Sequence, residues 1–309
     1  MWENKIVGIR GSYRNLAFPK HKDFVLVDTI PNVNDVQNIK AFIQTSVCGI
    51  EKKTRCDQYN FIVSQNKPII VVEQATFRQN YKTKPEEDCY YKFGLNHYNR
   101  KLGYFANKNS PPDRWRKIQL ENNIDIKPWK NKGDYILILL QNPSDTSLNT
   151  IIKEYGCYTK WLKILIKNIR NITDEDILIR QHPLFIANKN RKLYDLSFLQ
   201  EDYINIHLSY PTYEKTFYDD FSNARVAIGY NSGSLIETVC FGIPTITLSE
   251  EGFSFPVSYH GLKILKQEKI NCTIDRNQWL YDCAYTQWKI SEINEGIPHN
   301  RLLDTMGLE

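Results

Sequence analysis

Long apolar runs are scarce in this chain of 309 residues: the longest aliphatic stretch, Ile136 to Leu140, falls far short of the roughly 20 residues that span a bilayer. No transmembrane helix is therefore expected. The opening MWENKIVGIRG puts charge and a strand-like run where a signal peptide needs an apolar core, which predicts that the chain is not exported. Cysteines number seven, an odd count, scattered and without a Cys-x-x-Cys pair. That pattern indicates neither a disulfide framework nor a zinc knuckle and predicts reduced thiols in the cytoplasm. The excess of 40 Lys and Arg over 35 Asp and Glu leaves +5, too diffuse for a protein that grips nucleic acid by electrostatics alone. Gly-x-Gly-x-x-Gly and Walker patterns are missing, which disfavours a nicotinamide dehydrogenase or a P-loop ATPase. No internal repeat, low-complexity run or His-rich constellation occurs. The one acidic triplet, Asp174-Glu175-Asp176, opens a strand, the wrong end of a sheet for a site, and reads as a solvated turn. No metal and no cofactor are expected.

What is present is an ordinary globular composition, 41% hydrophobic and 24% charged, at a length that suggests two domains. Strand and helix signals alternate as in an α/β fold. In residues 1–128, strands are predicted at Lys5 to Ile9, Phe24 to Val27 and Pro68 to Val72, with a helix around Ile39 to Val47. The β-branched run before Glu73 suits a sheet covered on both faces and delivers Glu73 to a strand end. From Tyr81 to Asp134 the periodicity fades into long aromatic and basic loops. Pro, Lys and Gly in Lys127 to Asp134 mark the domain junction. In residues 129–309, strands are predicted at Tyr135 to Leu140, Ile177 to Arg180, Ile204 to Leu208, Arg225 to Tyr230 and Thr245 to Leu248. Helices are predicted at Thr159 to Ile169, Tyr213 to Phe221, Ser232 to Phe241 and about Asn277 to Glu292, the last capping this sheet or crossing back to the first domain. Strands joined by crossover helices imply a right-handed parallel sheet of Rossmann type.

In such a sheet ligands bind beyond the carboxyl ends of the strands. Three segments there carry chemistry: Gln141 to Ser147, Arg180-Gln181-His182, and Tyr230-Asn231-Ser232-Gly233-Ser234. Small polar residues and a glycine at a strand-to-helix turn leave backbone N–H groups free for a phosphate. Ser232 as a plain helix cap is the simpler alternative. Glu237, one turn on, is placed to accept hydrogen bonds from a ribose, or is an exposed helix glutamate. His182 beside Arg180 offers donors to a diphosphate, or is a loop histidine satisfied by backbone.

The run IRQHPLF followed by ARVAIGYNSGSLIETVCFGIPTITL resembles the carboxyl-terminal donor domain of GT-B glycosyltransferases, especially the capsule and lipopolysaccharide (Kdo-type) enzymes with a His-Pro motif and a Ser-rich turn. The segments VVEQATFRQ, GLNHYN, DRW, KPW and GDYILILLQNPSDTSL resemble phage-encoded glycosyltransferases. The resemblance implies two Rossmann-like domains facing a cleft: an acceptor domain, 1–128, and a nucleotide-sugar domain, 129–309. It also implies transfer of a sugar from a UDP- or CMP-linked donor to an acceptor hydroxyl, without a metal. The donor would be held by Gln141, Ser147, Arg180, His182, Tyr230, Asn231, Ser232, Gly233, Ser234 and Glu237. Negative charge on the leaving phosphate would be stabilised by His182, Arg180 and the turn. The acceptor hydroxyl needs a base, for which Glu73 is the first candidate, Asp28 the rival and Asp113 a third. Arg10, Ser12, Arg78, Asn96, Arg114 and Trp115 would position the acceptor. The phage resemblance points to a hydroxymethylated base of double-stranded DNA, flipped out and held by a basic, aromatic rim from Arg78 to Lys117. The alternatives are a capsule or lipopolysaccharide glycan acceptor, or a non-catalytic binding module on the same fold.

Overall fold

A computed structural model describes residues 2–13, 18–46, 53–79, 84–143, 145–183, 196, 199, 203–212, 216–305 and 307. The chain divides into two compact units, Met1–Asn122 with Asn277–Glu309, and Asn123–Arg276. It therefore passes between them twice. The stretch 127–134, expected as the junction, lies inside the second unit, and the C-terminal segment belongs with the first.

The first unit opens with β1 (Ile6–Ile9), β2 (Phe24–Val27), α1 (Val33–Val36), β3 (Ala41–Thr45), α2 (Lys53–Ser64), β4 (Ile69–Gln74), β5 (Tyr90–Leu95) and α3 (Asp113–Asn122). The second holds β6 (Tyr135–Leu139), α4 (Asn149–Tyr155), α5 (Tyr158–Arg170), β7 (Asp176–Arg180), β8 (Ile206–Ser209), α6 (Phe217–Phe221), β9 (Ala224–Gly229), α7 (Ser234–Cys240) and β10 (Thr245–Thr247). The C-terminal segment adds α8 (Asn277–Ala284), β11 (Gln287–Lys289), α9 (Ile290–Asn294) and α10 (Ile297–Asp304). Both units are Rossmann-like α/β layers. The first sheet has the order β11-β5-β4-β3-β1-β2 and the second β10-β9-β6-β7-β8. All pairings in the second sheet are parallel. In the first, β5 runs antiparallel to β4 and β11 antiparallel to β5.

The second unit follows its sequence closely. In β6, Ile136 and Ile138 enter one core and Leu137 and Leu139 the other, as alternation in a doubly covered strand demands. Helix α5 places Tyr158, Trp161, Leu162, Leu165, Ile166 and Ile169 at helical spacing on a single buried face. Helix α7 ends at Gly242, whose φ of +76° is left-handed and whose missing Cβ lets the Pro128 carbonyl approach to 2.0 Å from where that atom would stand. The helix expected over Tyr213 to Phe221 is seen as α6, with residues 213–215 outside those described. Glu175 is no free turn residue: its carboxylate takes two hydrogen bonds, 2.7 and 2.6 Å, from the buried Arg225 guanidinium.

The first unit departs further. Residues 41–45 form a strand, fully buried between β1 and β4, where a helix was expected. Its Ala-Phe-Ile-Gln-Thr is too short and too buried on both faces to show a period. Helix α2 was missed because its apolar residues gather toward its carboxyl end, in Phe61-Ile62-Val63, instead of recurring at helical spacing. The region from Tyr81 to Asp134 contains β5 and α3, and the single helix expected over Asn277 to Glu292 is interrupted by β11. Cys56 is disulfide-bonded, against the expectation of reduced thiols, whereas Cys89, Cys157, Cys240, Cys272 and Cys283 are free.

Arg114 holds α3 to the C-terminal segment. Buried among aromatic rings and 3.8 Å from the centre of Trp288, it donates to the carbonyls of Ala284 and Gln287 and, at 2.9 and 2.6 Å, to both carboxylate oxygens of Glu292. Burial by itself would raise the Glu292 pKa, but the Arg114 hydrogen bonds and charge outweigh it and hold it below 4.5. Its stabilisation is thus present above pH 4.5 and lost as the pH falls through the lower folded value. Glu292→Gln is expected to cost about 3 kcal/mol near neutral pH. The gap in melting temperature between wild type and variant should narrow toward roughly pH 3; a gap that does not change with pH would show that the carboxylate is not charged in this pair.

Candidate functional site

The second sheet starts at its centre with β6, winds outward to β8, and resumes at β9 on the other side of β6. Connections from β6 and β9 pack on opposite faces, since Ile151 of α4 and the apolar stripe of α5 enter one core and Leu235 of α7 the other. In an open sheet of this order, the place where two such strands end side by side is where ligands bind.

Gln141 and Asn231 occupy those two ends and bind one another. The Gln141 Nε2 donates to Asn231 Oδ1 at 2.8 Å and to Ser147 Oγ at 3.0 Å, while its Oε1 accepts the Asn231 N–H at 3.2 Å. The Asn231 Nδ2 donates to the Ser147 carbonyl at 3.1 Å and to Glu251 Oε2 at 3.3 Å. Ser147 is fixed in turn by Asp145, whose carboxylate accepts its N–H at 3.0 Å. Three residues singled out in the sequence, Gln141, Ser147 and Asn231, thus form one network.

Beyond Asn231 the chain turns into α7. The Ser234 N–H donates to Ser232 Oγ at 3.2 Å, so Ser232 caps the turn through its side chain. The N–H groups of Ser232 and Gly233 have no partner among the described residues, and a Cβ built on Gly233 would meet nothing within 4 Å. This corner is open, polar and rich in donors. Tyr230, before it, lies half-buried with its ring centre 5.9 Å from that of Trp161, and burial pushes its hydroxyl pKa up. Glu237 stands half-buried in the first turn of α7. Sequence reasoning missed the loop after β10. Its Ser249 N–H bonds the Tyr230 carbonyl at 3.1 Å, and a Cβ on Gly252 would lie 3.3 Å from Asn231 Cα. The same strand-end rule could have found Ser249, Glu251 and Gly252.

Strand β7 ends at Arg180 and is followed by Gln181 and His182. His182 is half-buried in the loop beyond the strand. Arg180 is corrected: it is 4% exposed, ion-paired with buried Asp220 of α6 and near the Ser209 hydroxyl. Its charge is spent inside the unit, where a lone buried guanidinium would be costly.

In the first unit Glu73 lies inside β4 rather than beyond it, half-buried and opposite Lys92 of β5. Asp28 and Arg10, at the carboxyl ends of β2 and β1, pair at 2.6 Å with both side chains largely exposed. Arg78 is exposed. Four acceptor assignments fail on geometry. Ser12 is 2% exposed and its hydroxyl donates to the Ile9 carbonyl, closing a turn. Asn96, with φ of +66°, bonds backbone to Ile69 at the amino end of β4, because the antiparallel β5 carries it to the opposite edge from Glu73. Arg114 is consumed by its clamp, and Trp115 is 4% exposed, packed on Phe77. Asp113 accepts from the Tyr285 hydroxyl at 3.0 Å. The expected rim from Arg78 to Lys117 is thus divided between a buried clamp and two sheet edges, with residues 80–83 outside those described. Among the described residues one group of imidazole and carboxylate side chains is close enough to hold a metal ion, namely His21, Asp23 and His299 of the first unit.

No family model and no curated protein sequence matches the chain. Solved structures do. The KpsC β-Kdo 2,4 transferase of Thermosulfurimonas dismutans superposes with a TM-score of 0.52 at 10% identity, over 96% of this chain and 98% of that one. The β-Kdo 2,7 transferase of KpsC from the same organism gives 0.52 at 13% identity, over 98% and 99%. The likeness runs the length of both chains and is one of fold.

Gln141→Ala would leave the Asn231 N–H and Oδ1 without partners and should cost about 2 kcal/mol in urea unfolding. Arg10→Ala, which removes an exposed pair, should cost under about 1 kcal/mol. Equal losses would mean that the Gln141 network is no better ordered than a surface ion pair.

Proposed function

We propose that the chain is a glycosyltransferase that moves a sugar from a nucleotide-sugar donor to a hydroxyl of a glycan acceptor. The observation that carries this reading is the Gln141–Asn231–Ser147 network at the ends of β6 and β9, which fixes a turn with open N–H groups at Ser232 and Gly233. A donor phosphate is the natural guest of such a corner. Ser232, Gly233 and Ser234 would hold the phosphate, and His182 would stabilise charge on the leaving nucleotide. Tyr230 and Glu237 would meet the nucleoside. Gln141, Ser147 and Asn231 act as positioning residues, as does Arg180 through Asp220.

The solved neighbours are named as Kdo transferases, which supports a carbohydrate acceptor and makes CMP-linked and UDP-linked sugars the first donors to test. A DNA acceptor loses its footing, since Arg114 and Trp115 are buried and Asn96 lies at the far sheet edge. Glu73 and Asp28 remain the candidates for the base, both near the carboxyl ends of the first sheet's parallel strands. Transfer is proposed to proceed without a metal, through these side chains alone.

A panel of CMP- and UDP-linked sugars with oligosaccharide acceptors tests the reading: one donor should raise the melting temperature and be turned over. His182→Ala should lower kcat with that donor by about 100-fold or more. No thermal shift and no turnover with any common donor would overturn the assignment. Glu73→Gln should lower kcat by roughly 100-fold or more while the donor's thermal shift persists; if Asp28→Asn shows that behaviour instead, the base is Asp28.

A further inference from the structure

We propose that His21, Asp23 and His299 form a binding site for a divalent transition-metal ion, best suited to Zn2+, that ties the C-terminal helix α10 to the amino-terminal edge of the first unit's sheet. His21 and Asp23 lie in the turn entering β2, closed by the Phe24 N–H on the His21 carbonyl at 3.1 Å. His299 projects from the first turn of α10, 276 positions further along the chain from Asp23. One ligand atom from each residue lies within 4.8 Å of the other two.

The spacing argues for a metal rather than for hydrogen bonds. Asp23 Oδ2 is 3.4 Å from His21 Nδ1 and 3.4 Å from His299 Nε2. Both exceed a good N–H···O distance. Metal–ligand bonds of about 2.0–2.2 Å at a tetrahedral centre instead set ligand atoms roughly 3.3–3.6 Å apart, which matches both edges.

The chemistry of the donors agrees. The His21 Nδ1 lies 3.3 Å from the Asp23 backbone nitrogen, a long contact that a metal ion on that nitrogen would replace. His299 is 1% exposed, and its Nδ1 is buried without any hydrogen-bond partner. Two imidazoles and one carboxylate favour zinc and its neighbours over magnesium or calcium. The His21 and Asp23 side chains are 18% and 31% exposed, which leaves solvent a path to a fourth position. The surroundings are built for rings at close range: His299 lies 5.0 Å from His21 and 4.7 Å from Phe24 between ring centres. Gly296, with φ of +85°, also keeps a side chain away, since a Cβ there would come 3.0 Å from His21 Nε2.

The cluster stands at the amino end of β2, away from Glu73 and Asp28 at the carboxyl ends, so its role is to fasten the chain rather than to take part in transfer. The site does not rest on the proposed activity, and its test needs none. The full chain, stripped with a chelator, is titrated with Zn2+ against a chromophoric competitor, and Co2+ is added in parallel to read coordination from its visible spectrum. One equivalent should bind at this site, with a tetrahedral Co2+ spectrum and a Zn2+-dependent rise in melting temperature. His21→Gln and Asp23→Asn, both at partly exposed positions, should each lose that equivalent and the rise while the metal-free melt stays as in wild type. A folded wild type that binds no equivalent, or variants that retain wild-type binding and the same rise, would overturn the proposal.

Discussion

The parallel pairing of β6 with β9 is the constraint on which the second unit depends. These strands are neighbours in the sheet although α4, α5, β7, β8 and α6 intervene in the chain. Right-handed crossovers then send the connections after β6 and β9 to opposite faces, and the polypeptide cannot fill the space between their ends. Exposed strand ends carry unpaired backbone groups, which must be satisfied by side chains, water or ligand. Here Gln141 and Asn231 satisfy each other across the gap, and their mutual hydrogen bonds hold the Ser232-Gly233 corner open instead of letting it fold onto the sheet.

The same accounting explains where the charges went. Arg114, Arg180 and Arg225 are each less than a tenth exposed, and each finds a carboxylate, in Glu292, Asp220 and Glu175. A guanidinium removed from water needs a partner of opposite charge and filled hydrogen bonds. These arginines join elements far apart in the chain, α3 to α9, β7 to α6 and the start of β7 to β9. Read along the sequence, an arginine next to an aromatic residue or a histidine resembles a ligand-binding group. Folded, it is a fastening.

Legibility differed between the two units for a physical reason. In the second, parallel strands covered on both faces produce unbroken apolar runs, and an amphipathic helix such as α5 displays its period openly, so the strands and the residues at their carboxyl ends were readable. In the first, β3 is short and buried on both faces, α2 gathers its apolar residues at one end instead of on one face, and β5 and β11 add antiparallel strands at the sheet's edge. The antiparallel turn at β5 is what carried Asn96 to the wrong edge, and no local pattern announces it.

By itself the sequence determined that the chain is an α/β protein and that polar residues follow β6 and β9 at the carboxyl edge of the second sheet, because strand period and the residues at strand ends are local properties. Gln141, Ser147, Asn231 and the Ser232-Gly233 turn were visible on those terms. Only the tertiary structure decided that the C-terminal segment belongs with the first unit and that Arg114 and Arg180 are spent internally. It also brought His299 to His21 and Asp23. Those are contacts between residues tens to hundreds of positions apart, set by how sheets and helices pack, and no spacing along the chain encodes them.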